Sequence, residues 1–250
     1  ARGRERARRM VGGEVFGQGR GKGHSPHHGG RHIHHCAQVA RGVLGHYNCH
    51  IDLKEIAHSI VERADDFPAV IAVDGSIGSG KSYFGEKLRD ALSPHSLLLA
   101  MDLFVCLCRH EWEDKAREGN VDLRCWYDID KVRDALRSIK NGKAVELAGL
   151  YRNEDGLLEG SLTLDPSGCR YFILEGLFSF DDELSRYVDF KVFVDVPPDV
   201  ALGRAEPRDE SARHMTHEDW LIKKRAFFDG NLDYAAGHRE KADFLFHPDP

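Results

Sequence analysis

The chain lacks any apolar run approaching the roughly 20 residues that a bilayer-spanning helix needs, so no membrane span is expected. Its basic N-terminal stretch is not followed by the apolar core of a secretory signal, so no signal peptide is expected either. None of its six cysteines (Cys36, Cys49, Cys106, Cys108, Cys125, Cys169) stands in C-x-x-C spacing. That argues against a zinc site or a disulfide framework, and for free thiols in a reducing cytoplasm. Cys106 and Cys108 read as neighbouring thiols in preference to a redox pair. There is no internal repeat, which excludes a repeat architecture.

What is present suits one sizeable α/β domain: 250 residues, of which 41% are apolar and 30% charged. The net charge of −6 hides an asymmetry. Residues 1–50 hold nine Lys/Arg against two acids, a segment charge of +7, so the remainder carries −13. Two differently built pieces are joined here. Residues 1–50 are rich in Gly, Arg and His and show no helical or strand periodicity, so they are expected to form a disordered extension. Their eight histidines (His24, His27, His28, His32, His34, His35, His46, His50) have no acid or cysteine spacing that would fix a metal geometry. The arginines could touch nucleic acid or an anionic membrane surface, but no aromatic residues interleave them, so nucleic acid is not expected as a partner except through this tail. An organellar transit peptide fits the arginines but fits the Gly/His content poorly.

Residues 51–250 alternate helical and strand patterns. An apolar stripe at Leu53, Ile56, Ala57, Ile60, Val61 and Ala64 predicts a helix over 51–65. Continuous apolar runs predict buried strands at 69–73, 97–100, 171–174, 190–194 and 242–246. Helices are expected at 82–92, 130–139, 200–205 and 217–228. Unbroken apolar strands separated by helices predict a mostly parallel sheet covered by helices on both faces.

Gly75-Ser76-Ile77-Gly78-Ser79-Gly80-Lys81-Ser82 matches G-x-x-x-x-G-K-[ST] without a mismatch. The glycines let the backbone wrap closely round phosphate oxygens, and loop N–H groups with the next helix N-terminus hold their charge. Lys81 is placed to reach the β and γ phosphates, and the Ser82 hydroxyl to ligate Mg²⁺. A plain Gly-rich turn is the alternative. The strand before the loop and the helix after it argue against that.

Asp102 stands just past the second strand, where ligands of an open parallel sheet bind. It could take a proton from an attacking hydroxyl or hold metal; a helix cap or a surface acid is the rival reading. Glu175 ends another apolar strand, as the acid of a Walker B element does. Downstream, Arg204, Arg208 and Arg213 could close over a triphosphate, or simply line a solvated helix face.

At this point the residues from about 69 to 246 resemble the uridine kinase and phosphoribulokinase group of P-loop kinases. Met101-Asp102-Leu103-Phe104 resembles D-x-F-Y, and Asn120-Val121-Asp122 resembles N-[FY]-D. Ile139 to Lys143 followed by Leu150-Tyr151 resembles the L-K-x-G-x segment that leads to P-x-Y. Leu174-Glu175-Gly176 resembles the E-G strand. Residues 196 to 209 resemble the arginine lid, and Lys241-Ala242-Asp243 the late A-D. Val105, Val121 and Ala205 stand where the family has Tyr, an aromatic residue and Arg. The family's His and Arg after P-x-Y have no clear counterpart in 152–156.

The resemblance implies a P-loop NTPase fold and a kinase using ATP and Mg²⁺. It casts Asp102, Lys81, Arg204 and Arg208 as catalytic. Residues 75–82 and Arg208 would bind the nucleotide, with Ser82, Glu175 and Asp102 on the metal. Asp102, Asp122 and Tyr151 would meet the acceptor. The expected partner is a small-molecule hydroxyl acceptor, foremost a nucleoside such as uridine or cytidine. Another ribosyl compound or sugar, a non-catalytic nucleotide-binding regulatory module, and assembly as a homo-oligomer stay open.

Overall fold

A computed structural model of the chain describes residues 52–119, 122–153, 155–212, 216–229 and 231–248. The disorder expected of 1–50, the histidine cluster, Cys36, Cys49, Asn120, Val121 and Arg213 lie outside the described residues.

Strand β1 (Ala69–Gly75) is buried along its whole length, which its sequence AVIAVDG permits because an interior parallel strand meets no solvent on either face. It pairs in parallel with β5 (Tyr171–Glu175) on one side and β6 (Phe190–Val194) on the other. With β2 (Ser96–Ala100) and β7 (Phe244–Phe246) at the edges, the sheet order is β2-β5-β1-β6-β7, and every pairing in it is parallel.

Alternation along the strands divides the core in two. Val70, Leu99, Phe172 and Leu174 pack with Met101, Phe104, Trp126 and helix α4 (Ile129–Lys140). Ile71, Val73, Ile173 and Val192 pack with α1 (Leu53–Arg63) and α2 (Lys81–Ala91) through Ile56, Ile60, Phe84 and Leu88. Helix α1 opens on a capping box, in which the Asp52 side chain accepts from the Glu55 N–H and the Glu55 side chain from the Asp52 N–H. Among the described residues no helix is long and apolar enough to cross a membrane.

Four elements have no counterpart in the sequence reading. Helix α3 (Arg109–Glu118) buries only Ala116, so it has no apolar stripe to detect. Strands β3 (Val145–Leu150) and β4 (Gly160–Leu164) form an antiparallel hairpin with a register shift between Ala148 and Leu150. Helix α7 (Asn231–Arg239) follows the predicted 217–228 helix, which divides into α6 (His217–Lys223) and a π-helical turn, Lys224–Asp229. Helix α5 (Pro198–Ala212) runs further than the expected 200–205 and contains Pro207. The four cysteines described are all free.

Candidate active site

The site sits at the carboxyl ends of β1, β2 and β5. The strand register fixes its two acids: Ala100 is level with Glu175, and Asp102 follows two residues later on a 3₁₀ turn, Met101–Phe104. The turn after β5 needs glycine, because Gly176 has φ +134° and a Cβ there would meet Met101 Cβ at 2.7 Å.

The loop after β1 is built for an anion. Helix α2 starts at Lys81 with no side-chain cap on its N-terminus and no acid in its first turn. The buried hydroxyls of Ser76 and Ser79 have no hydrogen-bond partner. Uncapped helix N–H groups and orphaned hydroxyls are the donors that phosphate oxygens satisfy. Lys81 Nζ donates to Gly75 O at 3.0 Å and Ser76 O at 2.9 Å, which folds it over the loop. Burial lowers its pKa, while Asp74, Glu175 and Asp102 pull the other way. At Gly78 (φ +81°) a Cβ would lie 2.1 Å from the Ala201 carbonyl oxygen, whereas at Gly80 (φ +94°) it would meet open space. Gly78→Ala is therefore expected to weaken ATP-analogue binding by about tenfold or more and to cost more than Gly80→Ala, which carries only the backbone strain. Equal losses in calorimetric titrations of the two variants would contradict this account of the loop.

Ser82 Oγ donates to Glu175 Oε2 at 3.2 Å. Burial, reinforced by the charge of Asp102, raises the Glu175 carboxyl to about 7, against the pull of Lys81. Ser82, Glu175 and Asp102 are all oxygen donors, two of them carboxylates, which is the chemistry of a hard divalent cation. The pKa has a thermodynamic consequence. The unfolded chain releases this proton near 4.5 and the folded protein near 7. Over that interval the unfolded state holds fewer protons, so this residue makes stability fall as pH rises and contributes no further change above it. In metal-free protein, Glu175→Gln is expected to stabilise at about pH 8 by up to about 3 kcal/mol and to change little at about pH 4. Urea unfolding with a chelator present checks this; an equal effect at both pH values would refute it.

A cavity of about 530 Å³ joins the phosphate loop to Asp102. Gly78, Gly80, Lys81 and Ser82 line one end, and Asp102, Trp112, Trp126, Tyr127 and Tyr151 line the other. The Tyr127 hydroxyl donates to Asp102 Oδ1 at 3.4 Å. Burial and the charge of Asp102 hold its pKa well above the usual value, so it stays a donor. The Tyr151 N–H donates to Leu103 O at 2.9 Å, which pins the end of β3 to the Asp102 turn. The Trp112 indole N–H donates to the Tyr151 hydroxyl at 3.5 Å, and the two tryptophan rings lie 6.3 Å apart. Aromatic walls therefore exist although Val121 is not aromatic. Trp112, Trp126 and Tyr127 were not among the predicted residues, because no motif singles them out.

From α5 and α6, Arg208 and Lys223 also line the cavity. Buried Asp209 holds both: Arg208 Nη2 is 3.0 Å from Oδ1 and Lys223 Nζ 2.5 Å from Oδ2. Lys223 was missed because it lies beyond the arginine-rich stretch. Among the predicted residues outside the phosphate loop, two do not reach this cavity. Arg204 is exposed on α5. Asp122 is exposed, caps the 3₁₀ turn Leu123–Trp126 by accepting from Arg124 N at 3.2 Å, and faces a different cavity. The guanidinium of Arg152 pairs with Asp155 and Glu159.

Beneath the loop lies an acid that the sequence reading passed over. Asp74, fully buried, accepts from Gly75 N at 2.7 Å, Tyr234 OH at 2.7 Å and Phe180 N at 3.4 Å. His238 Nδ1 is 3.3 Å away.

The model of the Phosphoribulokinase / Uridine kinase family matches residues 70–243. Uridine kinases of Staphylococcus aureus are 31% identical over 147 residues, covering 58% of this chain and 70% of theirs. A putative fructose transport system kinase from Silicibacter sp. TM1040 superposes with a TM-score of 0.60 at 22% identity, over 78% of this chain and 98% of that one. A possible uridine kinase from Bacillus stearothermophilus does so at 0.59 and 18%, over 78% and 96%.

Proposed function

The chain belongs to the phosphoribulokinase/uridine kinase family and is a P-loop kinase; from that premise we propose that it transfers the γ-phosphate of ATP to a hydroxyl of a nucleoside, uridine or cytidine foremost. The observation that carries this reading is the shared cavity: Lys81 and Ser82 stand at one end and Asp102 at the other. Asp102 takes the proton of the acceptor hydroxyl, oriented by the hydrogen bond from Tyr127. The acceptor oxygen attacks the γ-phosphorus as the bond to the β–γ bridging oxygen breaks, and ADP leaves. Lys81, the loop N–H groups and Arg208 offset the charge that spreads over the transferring group. Mg²⁺ would be held by Ser82 and Glu175, which leaves Asp102 to take the proton, and would neutralise charge on the phosphate oxygens. Trp112, Trp126 and Tyr151 offer the acceptor flat apolar surfaces and one hydroxyl. We assign Arg204 and Asp122 no contact with the transferring phosphate.

A free sugar is the second reading, favoured by one observation. Asp122, which the family resemblance casts as the ribose-binding acid, faces away from the Asp102 cavity. Acceptor-dependent ADP release with ATP and Mg²⁺ separates the two, using uridine, cytidine, purine nucleosides and free sugars. A pyrimidine nucleoside is expected to give the highest kcat/KM. A free sugar leading the panel would transfer the assignment to the second reading, and no response to any acceptor would refute both.

A further inference from the structure

The transfer step makes no use of Lys223, a cation that lines the Asp102 cavity and is 6% exposed. Burying a charge costs free energy that an apolar side chain does not cost. Trp220, one turn earlier on the same face of α6, is 2% exposed, so an apolar residue suits this face. The lysine therefore calls for a reason besides packing.

Its contacts supply one. Lys223 Nζ donates to Asp209 Oδ2 at 2.5 Å, while the other carboxylate oxygen, Oδ1, takes Arg208 Nε at 3.1 Å and Nη2 at 3.0 Å. Two cations thus divide one fully buried carboxylate, an oxygen each. A guanidinium held on a carboxylate by Nε and Nη2 can present its remaining edge, with Nη1, to phosphate oxygens. Arg208 is close enough to Lys81 to lower its pKa, which puts the guanidinium toward the phosphate end of the cavity.

The segment that carries Arg208 needs such a hold. The start of α5 rests on the phosphate loop, where the Ala201 carbonyl faces Gly78. Between that anchor and Arg208 stand Gly203 and Pro207. Glycine weakens a helix interior, and Pro207 has no N–H to give the Gly203 carbonyl. The Arg208 side chain is 45% exposed, and a long exposed side chain loses entropy when it is fixed. Helix α6 is the firmer element. Its cap, Thr216, accepts from Asp219 N at 3.1 Å, Trp220 is buried, and Asp219 pairs with Arg117 of α3 at 3.2 Å.

We propose that Lys223 is a positioning residue for the transfer: from α6, through Asp209, it fixes the guanidinium of Arg208 toward the γ-phosphate before transfer begins. This rests on the part that Arg208 takes in offsetting charge. The test is a double-mutant cycle on kcat, with the full chain, Mg·ATP and the acceptor that leads the panel. Arg208→Met is expected to lower kcat by about 10²-fold or more. Lys223→Met should lower it by about tenfold or more, with KM for the acceptor changed less than about threefold. The double variant should be within about twofold of Arg208→Met, because Lys223 acts through that residue. Lys223→Arg, which can still pair with Asp209, should recover most of kcat. A merely structural defect would slow the Arg208→Met background by the same factor as the unaltered protein. That result, a kcat of Lys223→Met within about twofold of the unaltered protein, or a loss confined to the acceptor KM would each overturn the proposal. An unchanged kcat in Arg208→Met would instead overturn the role of Arg208, and the positioning role with it. If Lys223→Met does not fold, Asp209→Asn/Lys223→Met, which removes both buried charges together, takes its place in the cycle with the same expectations.

Discussion

Asp102→Asn is expected to lower kcat by about 10²- to 10⁴-fold, the range that a positioned general base contributes. Affinity for an ATP analogue should stay close to that of the unaltered protein, because the phosphate contacts come from the loop, Lys81 and the α2 N-terminus. The amide occupies the same space and can still accept from Tyr127, so loss of positioning does not account for the effect. It cannot take the proton. The same substitution also removes one charge beside Glu175, which is among the causes that raise the Glu175 pKa. Glu175 should then ionise more readily and keep its place on the metal. Turnover retained within about tenfold would remove Asp102 from the role of base.

The second large effect is structural. Asp74→Ala leaves the Gly75 and Phe180 N–H groups and the Tyr234 hydroxyl without their acceptor, all on one buried carboxylate. Removing one partner from a buried charged network costs about 3–5 kcal/mol. For a domain of about 200 residues that lowers the thermal midpoint by roughly 10 °C. The loss should also reach function. Asp74 fixes the first glycine of the phosphate loop on one side and α7 on the other, so KM for ATP is expected to rise alongside the fall in stability. A midpoint within about 3 °C of the unaltered protein would show that the network does not hold the loop.

The sequence made legible what depends on short-range pattern. The G-x-x-x-x-G-K-S run names the phosphate loop because few other sequences let backbone N–H groups converge on phosphate. Strands β1 and β5 were legible as apolar runs because they are buried on both faces. Strand ends then placed Asp102 and Glu175, and parallel register brings them together. What was not legible depends on tertiary direction. Helix α3 buries one alanine, so its ten residues carry no apolar stripe, and with them Trp112 went unnoticed. The β3–β4 hairpin is broken by a register shift, which erases strict alternation. Asp74 hides within an apolar strand, and only the return of α7 supplies its partners 160 and 164 residues later. Asp122 shows the converse: its motif position was plain, while the cavity it faces was set by the turn it caps. Helix α5 was legible only over 200–205, yet it continues through Pro207 to Ala212.

Transfer of label from γ-labelled ATP tests the central claim most directly, by joining the two ends of the Asp102 cavity in one reaction. With Mg²⁺ and a nucleoside acceptor, label should pass to the nucleoside in proportion to ADP formed, and Asp102→Asn should form neither product above background. Label released only as inorganic phosphate, or transferred equally by Asp102→Asn, would contradict the account.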